Sequence, residues 1–358
     1  MKSVKRIIAF GLVMLMALSF TGCIHKKGEI AVKINGVEFT SAYYACALIN
    51  SKTEAQNKVY ETLTDEEKSS DAVDYSKKKI DDKAFDEWVE DEAIEKLKTI
   101  AAYKLLCKEN KLELTEEDAN NAMMYASYYW SNYGYSAYFE PNGVSQATYA
   151  EYMKDSYYSE KYFEFLYGAE GEKAIDEGTV KTKIYDNFII ANILNASYES
   201  DDTDEDKANL KKKLDGYVIA LNKKTRTFEE IYKEFNGSDN TADTSSEDGP
   251  KDKYATILGA EGTNYANDNY EAVKAMAVGE VKLIELEDKS GFVLAVKQDI
   301  TADDYYLKNL DMTARHLIAD EEYKKIIEDY AKKLEPDVSK YAISQFKVNK
   351  LEEPSYSY

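Results

Sequence analysis

Phenols are abundant and imidazoles and thiols scarce among the side chains able to do chemistry: the chain has 31 tyrosines, 3 cysteines and 2 histidines. The cysteines are Cys23, Cys46 and Cys107, and the histidines are His25 and His316. No Cys/His grouping has metal-ligand spacing and no Gly-rich loop is built to cradle phosphate, so neither a metal nor a cofactor is expected. Cys46 and Cys107 lie in apolar stretches of helical period, which suits buried free thiols, with a bridge between them as the alternative. Between Tyr125 and Tyr167 fall 12 tyrosines, with Trp130, Phe139, Phe163 and Phe165 among them. That density exceeds what one small helical core needs. A tyrosine ring buries apolar area at low conformational cost while its hydroxyl tolerates water, which suits weak, promiscuous contact with extended polypeptide. Tyr128, Tyr129, Trp130, Tyr133, Tyr135 and Tyr138 are the candidate binding residues. The alternative is that these rings form the core of their own helices.

The N-terminus frames the third cysteine. Lys2, Lys5 and Arg6 make a basic start, and Ile7 to Phe20 is an apolar run of 14 residues. A membrane-spanning helix needs roughly 20 apolar residues, so a signal-peptide core fits better than a permanent span. Phe20-Thr21-Gly22-Cys23 resembles a bacterial lipobox, with Phe20 where Leu is usual. The motif implies cleavage before Cys23, a diacylglycerol on its thiol, and a mature chain on the outer face of the cytoplasmic membrane. An ordinary signal peptide or an uncleaved anchor are the alternatives. The formal net charge is −21, and losing the basic start makes it more negative. Such a chain is repelled by nucleic acid and anionic headgroups, and it attracts basic clients or serves solubility.

These residues need elements to position them. Glu29 to Ile34 alternates as a strand, Asn35-Gly36 is a tight-turn signal, and Thr40 caps a helix over Ala42–Asn50. Ser51 to Lys79 reads as loop with some helix. Asp82 to Asn110 carries the clearest helical stripe, through Phe85, Trp88, Val89, Ala93, Leu97, Ile100, Ala101 and Leu105. Thr115 and Ser145 open two further helices, the second running to about Tyr167. Beyond Gly178 the order is a short helix (180–187), strand 188–194, helices 206–224 and 228–235, a polar loop 236–253, and strand 254–258. A short helix at 270–277 and strands 281–286 and 292–297 complete a β-α-α-β-α-β-β order, the pattern of a compact α+β domain. Helix returns from Asp303 to Leu334, and Ala342–Val348 reads as a last strand.

This order, with several local phrases, resembles the PrsA/SurA-like family of extracytoplasmic foldases. Ile30–Thr40 looks like the family's opening strand and helix cap, Ala101–Leu106 with Leu114–Glu117 like its long helix and next cap, and Gly143-Val144-Ser145 like a later helix start. Ile190–Leu194, Phe228–Phe235, Ala275–Val281 and Gly291–Leu294 look like the parvulin strands and helices. The resemblance implies an α+β fold in which residues 23–178 and 301–358 form one helical chaperone module after a signal peptide over 1–22. A parvulin-like domain is inserted over 179–300. It also implies client polypeptides as partners. At the positions of the two parvulin histidines stand Asn192 and Val293, the latter beside Phe292. The aromatic floor of the proline pocket falls at Asn269 or Tyr270, and the pocket methionine near Tyr265. His25 and His316 lie outside this domain, and Ala314–Ile318, which mimics the first parvulin strand, falls in a helical pattern.

The expected function is therefore a lipid-anchored holder of unfolded secreted polypeptide with little or no prolyl isomerase activity. An active isomerase and a solute-binding or adhesion lipoprotein are the alternatives.

Overall fold

The computed structural model describes residues 28–68, 73–237 and 249–352. The signal segment, Cys23 and His25 lie outside the described residues, as does most of the polar loop 236–253. Among the described residues no helix is long and apolar enough to cross a membrane. Two compact units divide the chain: residues up to Phe163 with those from Tyr323 onward, and Glu164–Glu322.

The first unit begins with strand β1 (Ile30–Ile34), which returns through Asn35-Gly36 into β2 (Val37–Thr40). Both turn residues have positive φ, +47° and +90°, as a two-residue hairpin of the twist-matched kind requires. Thr40 Oγ1 accepts from the Tyr43 N–H at 3.2 Å and starts α1 (Ser41–Thr62). This helix runs well past the expected end at Asn50, because Ser51, Lys52, Ala55 and Val59 are buried along one side. The polar residues between them conceal that stripe in the sequence. A short helix α2 (Asp65–Lys68) and a small hairpin of β3 (Lys79–Ile80) and β4 (Lys83–Ala84) lead into α3 (Phe85–Glu109). On α3 the expected stripe is buried except at Ile100 and Leu105, and Ala102, Leu106 and Cys107 take the remaining positions. Then come α4 (Glu116–Asn132), α5 (Tyr135–Phe139) and α6 (Gln146–Tyr167).

The chain's later residues complete the same unit. Strand β9 (Pro336–Val338) pairs antiparallel with β1, so the sheet order is β2-β1-β9. The last strand thus precedes the expected Ala342–Val348, where Lys340–Ile343 instead forms a short helix capped by Ser339. A proline tolerates the first position of an edge strand, where no donor is needed. Tyr323 stacks on Tyr103 at 6.3 Å and meets Phe163 edge-on at 5.1 Å, and its hydroxyl donates to the Ser159 carbonyl at 2.7 Å. One helical module is therefore built from both ends of the chain.

The second unit carries α7 (Glu177–Asn187), β5 (Phe188–Ser197), α8 (Asp204–Asn222), α9 (Phe228–Asn236), β6 (Ala255–Gly259), α10 (Tyr270–Lys274), β7 (Val281–Glu285) and β8 (Gly291–Gln298). From β5 onward this is the β-α-α-β-α-β-β order expected from the sequence. The four strands form an antiparallel sheet in the order β6-β5-β8-β7. One face packs Ile189, Ala191 and Ala295 against Tyr270, Val273 and Met276; the other packs Leu194, Ala196, Phe292 and Leu294 against Leu214, Tyr217 and Ile231. Helices cover both faces, so β5 opens as an uninterrupted buried run, Phe188 to Asn192, rather than an alternating one. Helix α11 (Asp304–Ala331) includes Ala314–Ile318, which is helical and not a strand. Its Arg315 is buried, pairs with Asp311 at 2.7 Å and donates to the carbonyls of Tyr167 and Ile175 at 2.8 and 3.0 Å.

Candidate functional site

Helix α4 presents two unlike sides. Its start is a capping box: Thr115 Oγ1 accepts from the Asp118 N–H at 3.1 Å, and Asp118 Oδ2 accepts from the Thr115 N–H at 2.7 Å. These bonds hold the Asp118 carboxyl below its ordinary value, the backbone N–H contributing most. Ala122, Ala126 and Trp130, spaced four apart, form the buried side. Met124 and Tyr128 lie opposite that stripe, exposed at 56 and 51%, Met123 and Tyr125 lie on its two flanks, exposed at 59 and 47%, and Tyr133 at the helix end is exposed at 58%. Of these, Met124 and Tyr128 share one exposed face, the kind of apolar surface that marks a contact site when it is contiguous.

The rings form a graded series from core to solvent. Trp130, 6% exposed, packs on Phe139 at 6.1 Å and on Tyr149 at 5.8 Å. Tyr135 touches both Phe139 and Tyr149, at 5.7 and 5.5 Å, and stacks on Tyr129 at 5.6 Å. Tyr129 in turn meets Tyr133 at 5.4 Å and Tyr128 at 6.0 Å, and Tyr128 meets Tyr133 edge-on at 5.6 Å. A hydrogen bond with Tyr133 raises the Tyr128 phenol above its ordinary value. Of the six ring residues singled out in the sequence, Trp130 is core, Tyr129, Tyr135 and Tyr138 are half-buried, and Tyr128 and Tyr133 are exposed. Met123, Met124 and Tyr125 were missed. The available signal was the small-residue stripe Ala122/Ala126, which leaves Met124 on the far face of the helix and Met123 and Tyr125 at its borders.

The residues at the parvulin positions are spread through the second unit. Asn192 is 1% exposed on β5, where its Nδ2 donates to Asp252 Oδ2 at 2.8 Å and its Oδ1 accepts from Gln298 Nε2. Both ends of the amide are thereby used. In the β5–β8 register Asn192 lies opposite Val296, and Val293 opposite Asn195. The pleat therefore puts Asn192 on the α8/α9 face, with Leu194, and Val293 on the α10 face, with Ala295. Phe292 is on the α8/α9 face, meeting Tyr198 edge-on at 6.0 Å. Tyr270 is buried on α10 and its hydroxyl donates to the Asp186 carbonyl at 2.8 Å, while Tyr265 meets Phe188 edge-on at 6.0 Å. These five residues are not brought to one site.

Cys46 and Cys107 are both buried and free. Burial pushes both thiols up, Cys107 to about 11, and Cys107 Sγ donates to the Tyr158 carbonyl at 3.4 Å. Among the described residues no group of three or more His, Cys, Asp or Glu is placed to hold a metal ion. His316 pairs with Asp320 on α11 at 2.6 Å.

No family model matches the sequence, and no curated protein matches it. Among solved structures, a foldase protein PrsA from Lactococcus lactis aligns over 89% of this chain and 98% of its own, at 12% identity and a TM-score of 0.39. Foldase protein PrsA from Streptococcus pneumoniae aligns over 74% of this chain and 93% of its own, at 16% identity and a TM-score of 0.39. PrsA from Bacillus subtilis aligns over 89% and 98%, at 14% identity and a TM-score of 0.34. The chain is thus similar to PrsA foldases in structure, at a level that describes arrangement and assigns a role to no residue.

Proposed function

We propose that this chain holds unfolded secreted polypeptide on the extracytoplasmic face of the membrane, tethered through a lipid on Cys23, and isomerises prolyl bonds little or not at all. The observation that carries the reading is the exposed pair Tyr128 and Tyr133, linked through Tyr129, Tyr135 and Tyr149 to the buried Trp130, with Met123, Met124 and Tyr125 exposed on the same helix. A rigid aromatic base with flexible thioethers beside it suits clients of many sequences, because methionine adapts its shape and tyrosine is pre-ordered. Each aromatic contact with a client adds about 0.5–1.5 kcal/mol beyond area burial, enough for capture and weak enough for release. The purified mature protein is expected to suppress aggregation of an unfolded model client. Replacing Met124, Tyr128 and Tyr133 together by Ala is expected to remove most of that suppression while lowering the melting temperature only by the few degrees that the lost Tyr128–Tyr129–Tyr133 ring contacts imply. Equal light scattering with the variant and the parent would overturn the assignment of the surface.

The second unit supports the absence of isomerisation. Rotation about a peptide bond faces a barrier of about 18–20 kcal/mol, somewhat lower before proline, and lowering it needs a pocket matched to the twisted imide. Asn192 is committed to Asp252 and Gln298, and Val293 faces the other side of the sheet with no polar atom. In a protease-coupled assay on an X-Pro peptide the protein is expected to match the uncatalysed rate. The solute-binding alternative calls for two similar lobes, whereas here a three-stranded sheet in one unit and a four-stranded sheet in the other share no topology. Growth with a labelled fatty acid is expected to mark the parent protein and not Cys23→Ser; a parent left without label would reject lipid anchoring.

A further inference from the structure

The first unit holds a cleft of about 840 Å³, walled by the β1–β2 turn, the edge strand β2, the end of α3, the start of α4 and two residues of α6. That is within the usual size of a ligand site. Its charge runs against that of the molecule. The chain has 67 acidic and 46 basic side chains, whereas the cleft is lined by Lys104, Lys108, Lys111 and Lys154 against Glu38 and Glu113. Glu38 is already neutralised by Lys33 at 2.7 Å. Lys104 and Lys154 are likewise engaged, with Asp155 at 2.8 Å and Glu151 at 2.5 Å. Lys108 and Lys111 are exposed and make no ion pair among the described residues. They are set there by the close of α3, where Lys111 adopts φ +57° and the Leu112 N–H returns to the Cys107 carbonyl at 2.8 Å.

Two further features select the occupant. Val37, Leu112 and Leu114 give the cleft an apolar floor, which a bare inorganic anion would not use. Strand β2 is the outer strand of its sheet, so among the described residues one side of its backbone has no strand partner, and the cleft lies against it. We propose that this cleft takes an acidic polypeptide segment, laid along the outer edge of β2 with carboxylates at Lys108 and Lys111 and apolar side chains on the floor. It is a site separate from the aromatic surface, and either assignment can fail with the other intact.

Fluorescence anisotropy of the mature protein with a labelled peptide alternating Glu and Leu tests this, with the same peptide carrying Gln for Glu as control. The Glu peptide is expected to bind at least about tenfold more tightly, and K108E/K111E to remove about that factor, consistent with two exposed ion pairs. Binding should weaken with added salt, since the pairs are exposed. Lys111→Gly separates binding from folding: it deletes the ammonium while suiting the left-handed backbone, so it should bind more weakly yet melt no lower than the parent. The variant at Met124, Tyr128 and Tyr133 should bind the Glu peptide as the parent does. Equal affinity for the two peptides, unchanged binding by both lysine variants, or full displacement by inorganic phosphate would each overturn the proposal.

Discussion

Asp155 has almost no access to water, yet three hydrogen bonds reach its carboxylate: two from Lys104 Nζ at 2.8 and 2.9 Å and one from the Tyr43 hydroxyl at 2.7 Å. They tie α1, α3 and α6 together at one point. Replacing Asp155 by Ala leaves a buried phenol and a half-buried ammonium without their acceptor. The expected cost is about 2–3 kcal/mol, the lower end for a broken buried pair because Lys104 retains some solvent; urea unfolding of the variant measures it. Cys107 gives a pH-dependent counterpart. An ordinary thiol titrates near pH 8.5, and burial pushes this one to about 11, so the unfolded chain loses its proton first. Its contribution to stability is full below about pH 8.5 and is lost as pH rises toward its folded value. Cys107→Ala should flatten the alkaline limb of the stability curve, and a limb identical to the parent's would refute the role. The burial of both thiols was legible from their apolar, helically spaced neighbours. The network at Asp155 was not, because its partners lie far apart in the chain and nothing local marks an aspartate as buried.

Helix starts were the most legible elements, since their chemistry is local. Thr40, Thr115 and Ser145 each accept from the N–H three residues on, as read from the sequence, whereas the capping boxes Thr203/Asp206 and Thr227/Glu230 and the Asp176 cap were not read there and set helix α8 starting at Asp204 and α7 at Glu177. Thr203→Ala is expected to cost about 1 kcal/mol, read from thermal or urea unfolding. The Asp206 carboxyl is held below its ordinary value, first by the Thr203 hydroxyl and then by its backbone N–H. That cap is therefore complete above about pH 4 and is lost as pH falls through the lower folded value. Less legible were the length of α1 and the place of β9. The inner side of α1 is made partly of Ser51 and Lys52, and β9 is a strand of 3 residues fixed by pairing with β1. Register was the other gap. Sequence placed Asn192 and Val293 by family position, but the pleat assigns them to faces, and only the pairing with β8 shows that those faces differ. The same pairing brings the Gly291 backbone against Ala196, where a Cβ would meet the carbonyl, so Gly291→Ala should loosen the β5–β8 pair.

At the scale of the whole chain, the nesting separates two cores that can be challenged one at a time. The first unit draws on residues from both ends of the chain, while the second is one continuous stretch with its own sheet and its own apolar clusters. The order of elements made this legible in outline, because a β-α-α-β-α-β-β run sits between helical segments. The division itself falls inside α6 and α11, where helical periodicity continues without a mark. Each unit has an apolar core of its own, so a cavity made in one core acts first on the unit that holds it. Leu294 is fully buried beneath α8 and α9, and Leu294→Ala should remove about 2–5 kcal/mol from the second unit alone. Calorimetry of that variant is expected to show one transition moved to lower temperature and the other in place. Between the two transitions the aromatic surface on α4 remains folded, so suppression of client aggregation should persist there. Loss of suppression together with the first transition would instead place client holding in the sheet domain.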